Sequence, residues 1–181
     1  MQRVKPQINV KPGKRLRSSA SQQPRDATIV SVANAGVVRP PVVVLASLLS
    51  GAVLTVARPL PFFPGVLRVP VGGLLVAMAA ALFSYSIRQF RTAGTPVPGN
   101  KPTTAIVRTG PYRFSRNPIY LAFFAVHLGL AILVNCLWLV ATLIATVAII
   151  AIVVVPREER YLTGRFGSEY VEYKASVRRW L

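Results

Sequence analysis

Apolar residues fall into four blocks along the chain, with polar segments before, between and after them. The blocks cover about 41–57, 71–87, 118–134 and 139–155. None alternates with the period of two expected of a half-buried strand, and each is close to the roughly 17 residues that a helix needs to cross hydrocarbon. The pattern predicts an all-α integral membrane protein of four spans. The third and fourth blocks are separated only by "NCLW", which predicts an antiparallel hairpin. Pro156 is expected to end the fourth span. Gly72, Gly73, Ala77 and Ala80 offer small surfaces for close helix approach in the second.

Residues 1–38 show no sustained apolar period. They are rich in Lys, Arg, Ser and Gln, and Asp26 is their single acid. Such a segment buries too little to offset the entropy of ordering. It is expected to be a disordered basic tail against anionic lipid. A transit peptide shares this composition, but no amphipathic stripe is evident. The membrane domain is then 39–181, with a polar C-terminal region from 156.

Charge orients the spans. The net charge is +17, and with four spans both termini share a side. Twenty of the 22 Lys and Arg then lie on that side; only Arg58 and Arg68 lie opposite. The positive-inside rule therefore predicts cytoplasmic N- and C-termini. Beside so much apolar sequence, the basic excess points to lipid headgroups as partners and away from nucleic acid.

The stretch "TGPYRFSRNPIY", 109–120, stands at the mouth of the third span. Asn117 and Pro118 are a strong helix start, with Asn as N-cap and Pro at the first helical position. The helix end would present free N–H groups and a positive dipole to an anion, beside Arg113 and Arg116. After the fourth span comes the adjacent pair Glu158-Glu159. On a helix the two diverge by about 100°, so one can face a pocket while the other holds an arginine. The hairpin brings this pair near 113–120. Further on, Ser168 is a candidate N-cap, with Glu169 in the first turn and Arg178 and Arg179 in the last. Tyr170, Tyr173, Val177 and Trp180 share one face of that helix, expected to pack. His127, within the third span, is expected to be neutral and to make one interhelical hydrogen bond. One Cys and one His leave no metal cluster.

"RTGPYRFSRNPIY" and the later "REERYLTGRFGSEYVEYKASVRRW" resemble the isoprenylcysteine carboxyl methyltransferase and phospholipid methyltransferase superfamily of small membrane enzymes. The resemblance implies methyl transfer from S-adenosylmethionine, and "FRTAGTPVPGNKPTTAIV" resembles the lead-in of bacterial members, which implies a bacterial inner membrane. It implies that Arg116, Asn117, Pro118, Tyr120, Glu158 and Glu159 line the cofactor pocket. Beside them Tyr112 or Tyr120 can pack the adenine, Arg113 or Arg116 can meet the carboxylate, and Arg113, Arg116 and Glu159 are the positioning candidates. Well-known members often carry His where this chain has Asn117, which binds and caps but transfers no proton. The implied acceptor is lipophilic and delivered by the bilayer. A carboxylate, as on an isoprenylcysteine-like molecule, needs no general base and is the first expectation. A phospholipid amine is the alternative. A non-enzymatic basic protein on anionic lipid is the competing class.

Overall fold

The computed structural model describes residues 39–97 and 102–181. The basic tail, 1–38, lies outside the described residues. Six α-helices follow in order: α1 Pro40–Ala57, α2 Gly65–Thr92, α3 Pro118–Val134, α4 Leu137–Ile149, α5 Val155–Phe166 and α6 Ser168–Ser176. No strand occurs among the described residues, only an isolated bridge between Ser115 and Arg178. Three helical rods are long and apolar enough to cross a membrane: α1, α2 and the continuous Leu137–Phe166. α3 is apolar but shorter, at 17 residues. Val56, Val66, Leu74, Ile144 and Ile152 are all exposed on these rods. So much outward-facing aliphatic surface suits lipid rather than water.

The last long helix differs from expectation. Pro156 does not end it. A π-helical turn, Ile150–Val154, precedes the proline, and the Val155 N–H bonds to Ile150 O, one residue wider than in an α-helix. Pro156 itself occupies the second position of α5, where its missing N–H falls in the region of altered hydrogen bonding. The rod thus carries Glu158 and Glu159 on helix rather than on a loop. α2 is also longer than its apolar block. It starts at Gly65, takes in Pro70 near its N-terminus and runs on to Thr92.

α2 lies antiparallel to α3, the most extensive helix pair, and α1 lies against α4. Gly72 and Gly129 mark the closest approach of α2 and α3. A Cβ on Gly72 would stand 2.9 Å from Gly129 O, and one on Gly129 would stand 3.0 Å from Gly72 O. Gly72, Ala79 and Ser86 are the buried small residues of α2, seven apart. Gly73 faces open space, and Ala77 and Ala80 are exposed, so these three do not form the contact. On α1, Gly51 meets Leu139 and Thr142 of α4.

Both ends of the bundle are tied. At one end Asn135 adopts the left-handed conformation that ends α3, with φ 56°. Its Oδ1 accepts from the N–H groups of Phe62 and Phe63, and its Nδ2 donates to Phe63 O. Nearby, the Thr55 hydroxyl donates to the Cys136 sulfur. His127 is buried between α3 and α4, with Nε2 3.3 Å from the Thr142 hydroxyl. At the other end meet the start of α1, the end of α2, the start of α3, and α5 with α6.

Gly72→Val is expected to destabilise the folded protein by about 1–3 kcal/mol, because backbone stands where the side chain would go. Gly73→Ala, on open space, is expected to leave stability within about 0.5 kcal/mol. Unfolding in detergent measures both.

Candidate active site

Most of the 109–120 stretch has a definite place. Gly110 opens a 3₁₀ turn, Gly110–Arg113, with φ 58°. A side chain there would be strained and would meet Gln89, whose Oε1 accepts from the Thr109 hydroxyl. Pro111 stiffens the turn. Tyr112 turns inward, edge-to-face on Phe90, and Tyr173 donates to its carbonyl at 2.8 Å. Arg113 points out to solvent, so the structure does not bring it to the site. Asn117 stands at the N-cap position of α3, but its side chain makes no capping bond. Instead its Nδ2 donates to Arg179 O at 2.9 Å.

The two glutamates take different tasks. Glu158 accepts from the Tyr120 hydroxyl at 2.6 Å. Glu159 meets cations from three directions: Arg116 Nη1 at 2.8 Å, a two-pronged contact from Arg179 at 2.7 and 3.0 Å, and Lys174 at 4.0 Å. Both acids are buried, and the Arg116 side chain is about 10% exposed. A buried carboxylate needs such partners, since desolvation otherwise costs several kcal/mol.

Two cavities adjoin here. The larger, about 450 Å³, is mostly apolar, with Phe83, Ile87, Phe123 and the first residues of α1 as walls. The smaller, about 70 Å³, is lined by Thr103, Glu159, Tyr170 and Tyr173 among others. They share Phe90, Tyr112, Arg116, Asn117 and Glu158. The larger also takes in Pro118 and Tyr120. Three side chains on the smaller cavity hold buried polar atoms without a hydrogen-bond partner among the described residues: Thr103 Oγ1, Tyr112 OH and Arg116 Nε. Buried polar groups are rarely left so, and three on one cavity mark a place for a polar ligand or water.

Thr103, Arg179 and Arg39, which lines the larger cavity, were not legible as site residues. Thr103 lies in a plain "KPTTA" run. It is held because its N–H bonds to the Tyr161 hydroxyl and its carbonyl accepts from Arg165. Arg179, expected in the last turn of a helix, lies beyond it, since α6 stops at Ser176 with Lys174 as the basic residue of its last turn. Ser168 is the first helical residue of α6, not its cap; Gly167, with φ 57°, holds the cap position. Tyr170 and Tyr173 of the expected aromatic face are buried, and Trp180, beyond the helix, packs on Phe124.

Electrostatics keep the tyrosines neutral. Burial, then the charges of Tyr173 and Glu158, push the Tyr112 hydroxyl well above its usual 10.0. Tyr173 is raised by burial and by Tyr170. Tyr170 is pushed up to about 12, first by burial and then by Glu159. The hydrogen bond to Glu159 raises Arg179 above an already high value. These phenols stay protonated at neutral pH and are no bases.

The site stands at one end of an apolar helical bundle, on an Asn-Pro helix start and a paired acid. A family model described as phospholipid methyltransferase matches residues 67–169. That is more than half of the 181 residues, and the chain belongs to this family. Membership implies methyltransferase activity at a membrane. An uncharacterized protein of Haemophilus influenzae is 46% identical over 57 residues, 29% of this chain and 90% of that protein. No solved structure matches.

The raised Tyr170 value carries a sign. The folded state favours the neutral phenol, so its contribution to stability is complete below pH 10.0 and is lost as pH rises through about 12. Phenolate absorbance should show a step near 12 that Tyr170→Phe removes. Ionisation of all six tyrosines together near 10 would contradict this burial.

Proposed function

We propose that the protein transfers a methyl group from S-adenosylmethionine to a lipophilic acceptor delivered from the bilayer. The observation that carries this reading is the pair of adjoining cavities, a large apolar one and a small one edged by buried polar atoms, meeting at Arg116 and Glu158. The smaller cavity, with its buried polar atoms, fits the amino-acid end of the cofactor. The Arg116 guanidinium and the Thr103 and Tyr112 hydroxyls are donors that a carboxylate can meet there. Glu158, held by Tyr120, is an acceptor for an ammonium or ribose hydroxyls. Bound there, the cofactor would supply an activated methyl group on a sulfonium.

The apolar cavity fits the acceptor. Its walls come from α1 on one side and α2 on the other, with the start of α3 between. α1 and α2 make little direct contact with each other, so an acyl or prenyl chain has a route in from the side. Arg39 and Arg116 would balance an anionic group on such a molecule. The site's own residues then orient both reactants and exclude water. Such positioning supplies much of the rate of a displacement at carbon.

A carboxylate acceptor suits this site, because it needs no base. His127 lines neither cavity, and Asn117 transfers no proton. One observation favours the second reading, a phospholipid amine. The Glu158 carboxylate lines both cavities and is an acid–base group within reach of an ammonium there. In either case the site end is assigned to the cytoplasmic face, where Arg39, Arg116, Arg157, Arg160 and Arg165 gather.

Purified protein is expected to bind methyl-labelled S-adenosylmethionine, and Glu158→Ala to weaken binding by about tenfold or more. Tyr120→Phe is expected to weaken it less, since the carboxylate stays. Membranes incubated with the labelled cofactor should carry label in lipid or in a lipidated molecule. Base-labile label identifies an ester, and base-stable label identifies an amine. Absence of binding to wild-type protein would sink the cofactor reading.

A further inference from the structure

We propose that Arg179 is a positioning residue, which fixes Arg116 and Asn117 through a short strap, residues 177–180, that follows α6. Its functional consequence rests on the cofactor reading given above; the strap itself is read from geometry. The strap also lies beyond residues 67–169, the stretch that the family model matches.

The chain leaves α6 at Val177 in extended conformation, with φ −125° and ψ 135°. It then runs parallel to the segment just before α3, with Arg178 bridged to Ser115. The Arg116 N–H donates to Arg178 O at 3.0 Å. Asn117 Nδ2 donates to Arg179 O at 2.9 Å, and the Ser115 hydroxyl reaches the same oxygen at 3.4 Å. Two strap carbonyls therefore hold three consecutive residues at the mouth of both cavities.

The side chain of Arg179 closes the ring. Its Nε and Nη2 meet the two oxygens of Glu159 at 3.0 and 2.7 Å, the forked geometry that fixes direction as well as distance. Glu159 in turn holds the Arg116 guanidinium at 2.8 Å. Arg116 is thus gripped twice, by its backbone through the strap and by its side chain through Glu159. Among the described residues, Arg179 is the one side chain that joins these two grips. Trp180 seats the end of the strap on Phe124, with ring centroids 5.7 Å apart.

Arg179 lines neither cavity, so it acts on a ligand only through Arg116, Asn117 and Glu159. Its side chain is 42% exposed, against 10% for Arg116, so solvent screens its charge more and its forked geometry is its distinctive contribution. A shift of about 1 Å in such a positioned group is enough to cost about a hundredfold in rate.

The test uses the full chain in detergent and two readouts. Hydrogen exchange over residues 115–120 reads the strap directly. Arg179→Ala should speed exchange there while the Gly72–Gly129 contact region stays protected. Binding of labelled S-adenosylmethionine reads the consequence. It should weaken about tenfold in Arg179→Ala and recover partly with guanidinium ion at a non-denaturing concentration. Arg179→Lys, which keeps the charge but not the fork, should bind more weakly than wild type. Adding Asn117→Ala to Arg179→Ala should cost less than Asn117→Ala alone, since both break the same link. Unchanged exchange at 115–120, or wild-type affinity in Arg179→Ala, overturns the proposal. So does a loss of binding that guanidinium leaves untouched. If wild-type protein binds no S-adenosylmethionine, the cofactor reading falls, and the exchange result alone decides the strap.

Discussion

Glu159, buried at one end of an apolar bundle, is held by Arg116 and Arg179, with Lys174 at longer range. A carboxylate so placed is tolerable only with its cations in place, and cations crowded together are tolerable only with the carboxylate. The three arrive from distant parts of the chain: the segment before α3, the helix α6 and the strap beyond it. The ion cluster therefore does what a hydrophobic core does elsewhere, joining remote segments into one arrangement. Its neighbour Glu158 faces both cavities and accepts from the Tyr120 hydroxyl.

The apolar part of the bundle sets the shape on which this depends. The glycine contact draws α2 and α3 together at one end, Phe83 on Phe123 spaces them toward the other, and beyond it Phe90 packs on Tyr112 of the 3₁₀ turn. Small residues at one end and rings at the other open room where the polar groups are. α1 leans on α4 instead, through Gly51 and the Thr55–Cys136 contact. The space between α1 and α2 is thus a product of partner choice, and it adjoins the polar end.

Much of this was legible in the sequence. Four apolar blocks gave four apolar helical segments, because hydrophobic runs of that length in a lipid-facing chain have few other solutions. The Asn117-Pro118 start of α3 was legible because its chemistry is local. The proximity of Glu158-Glu159 to 109–120 followed from the short turn at Asn135. Three features were not legible. Pro156 reads as a helix end by every local rule, and only a change of hydrogen-bond register carries the helix past it. Arg179 reads as a residue of a helix's last turn, and its pull toward a buried Glu159 is a tertiary effect. Thr103 carries no local signal, because it is defined by Tyr161 and Arg165 from another helix.

The π-turn at Ile150–Val154 has a further consequence. One extra residue in a turn advances every later side chain by about 100° around the helix axis. The face that α4 turns toward α1 and the face that α5 turns toward the cavities are therefore set in different phases. The turn works as a phase adjuster between an anchoring half, answerable to lipid and packing, and a chemical half, answerable to charge. Each half can change its sequence under its own constraint, provided the count of residues between them is kept.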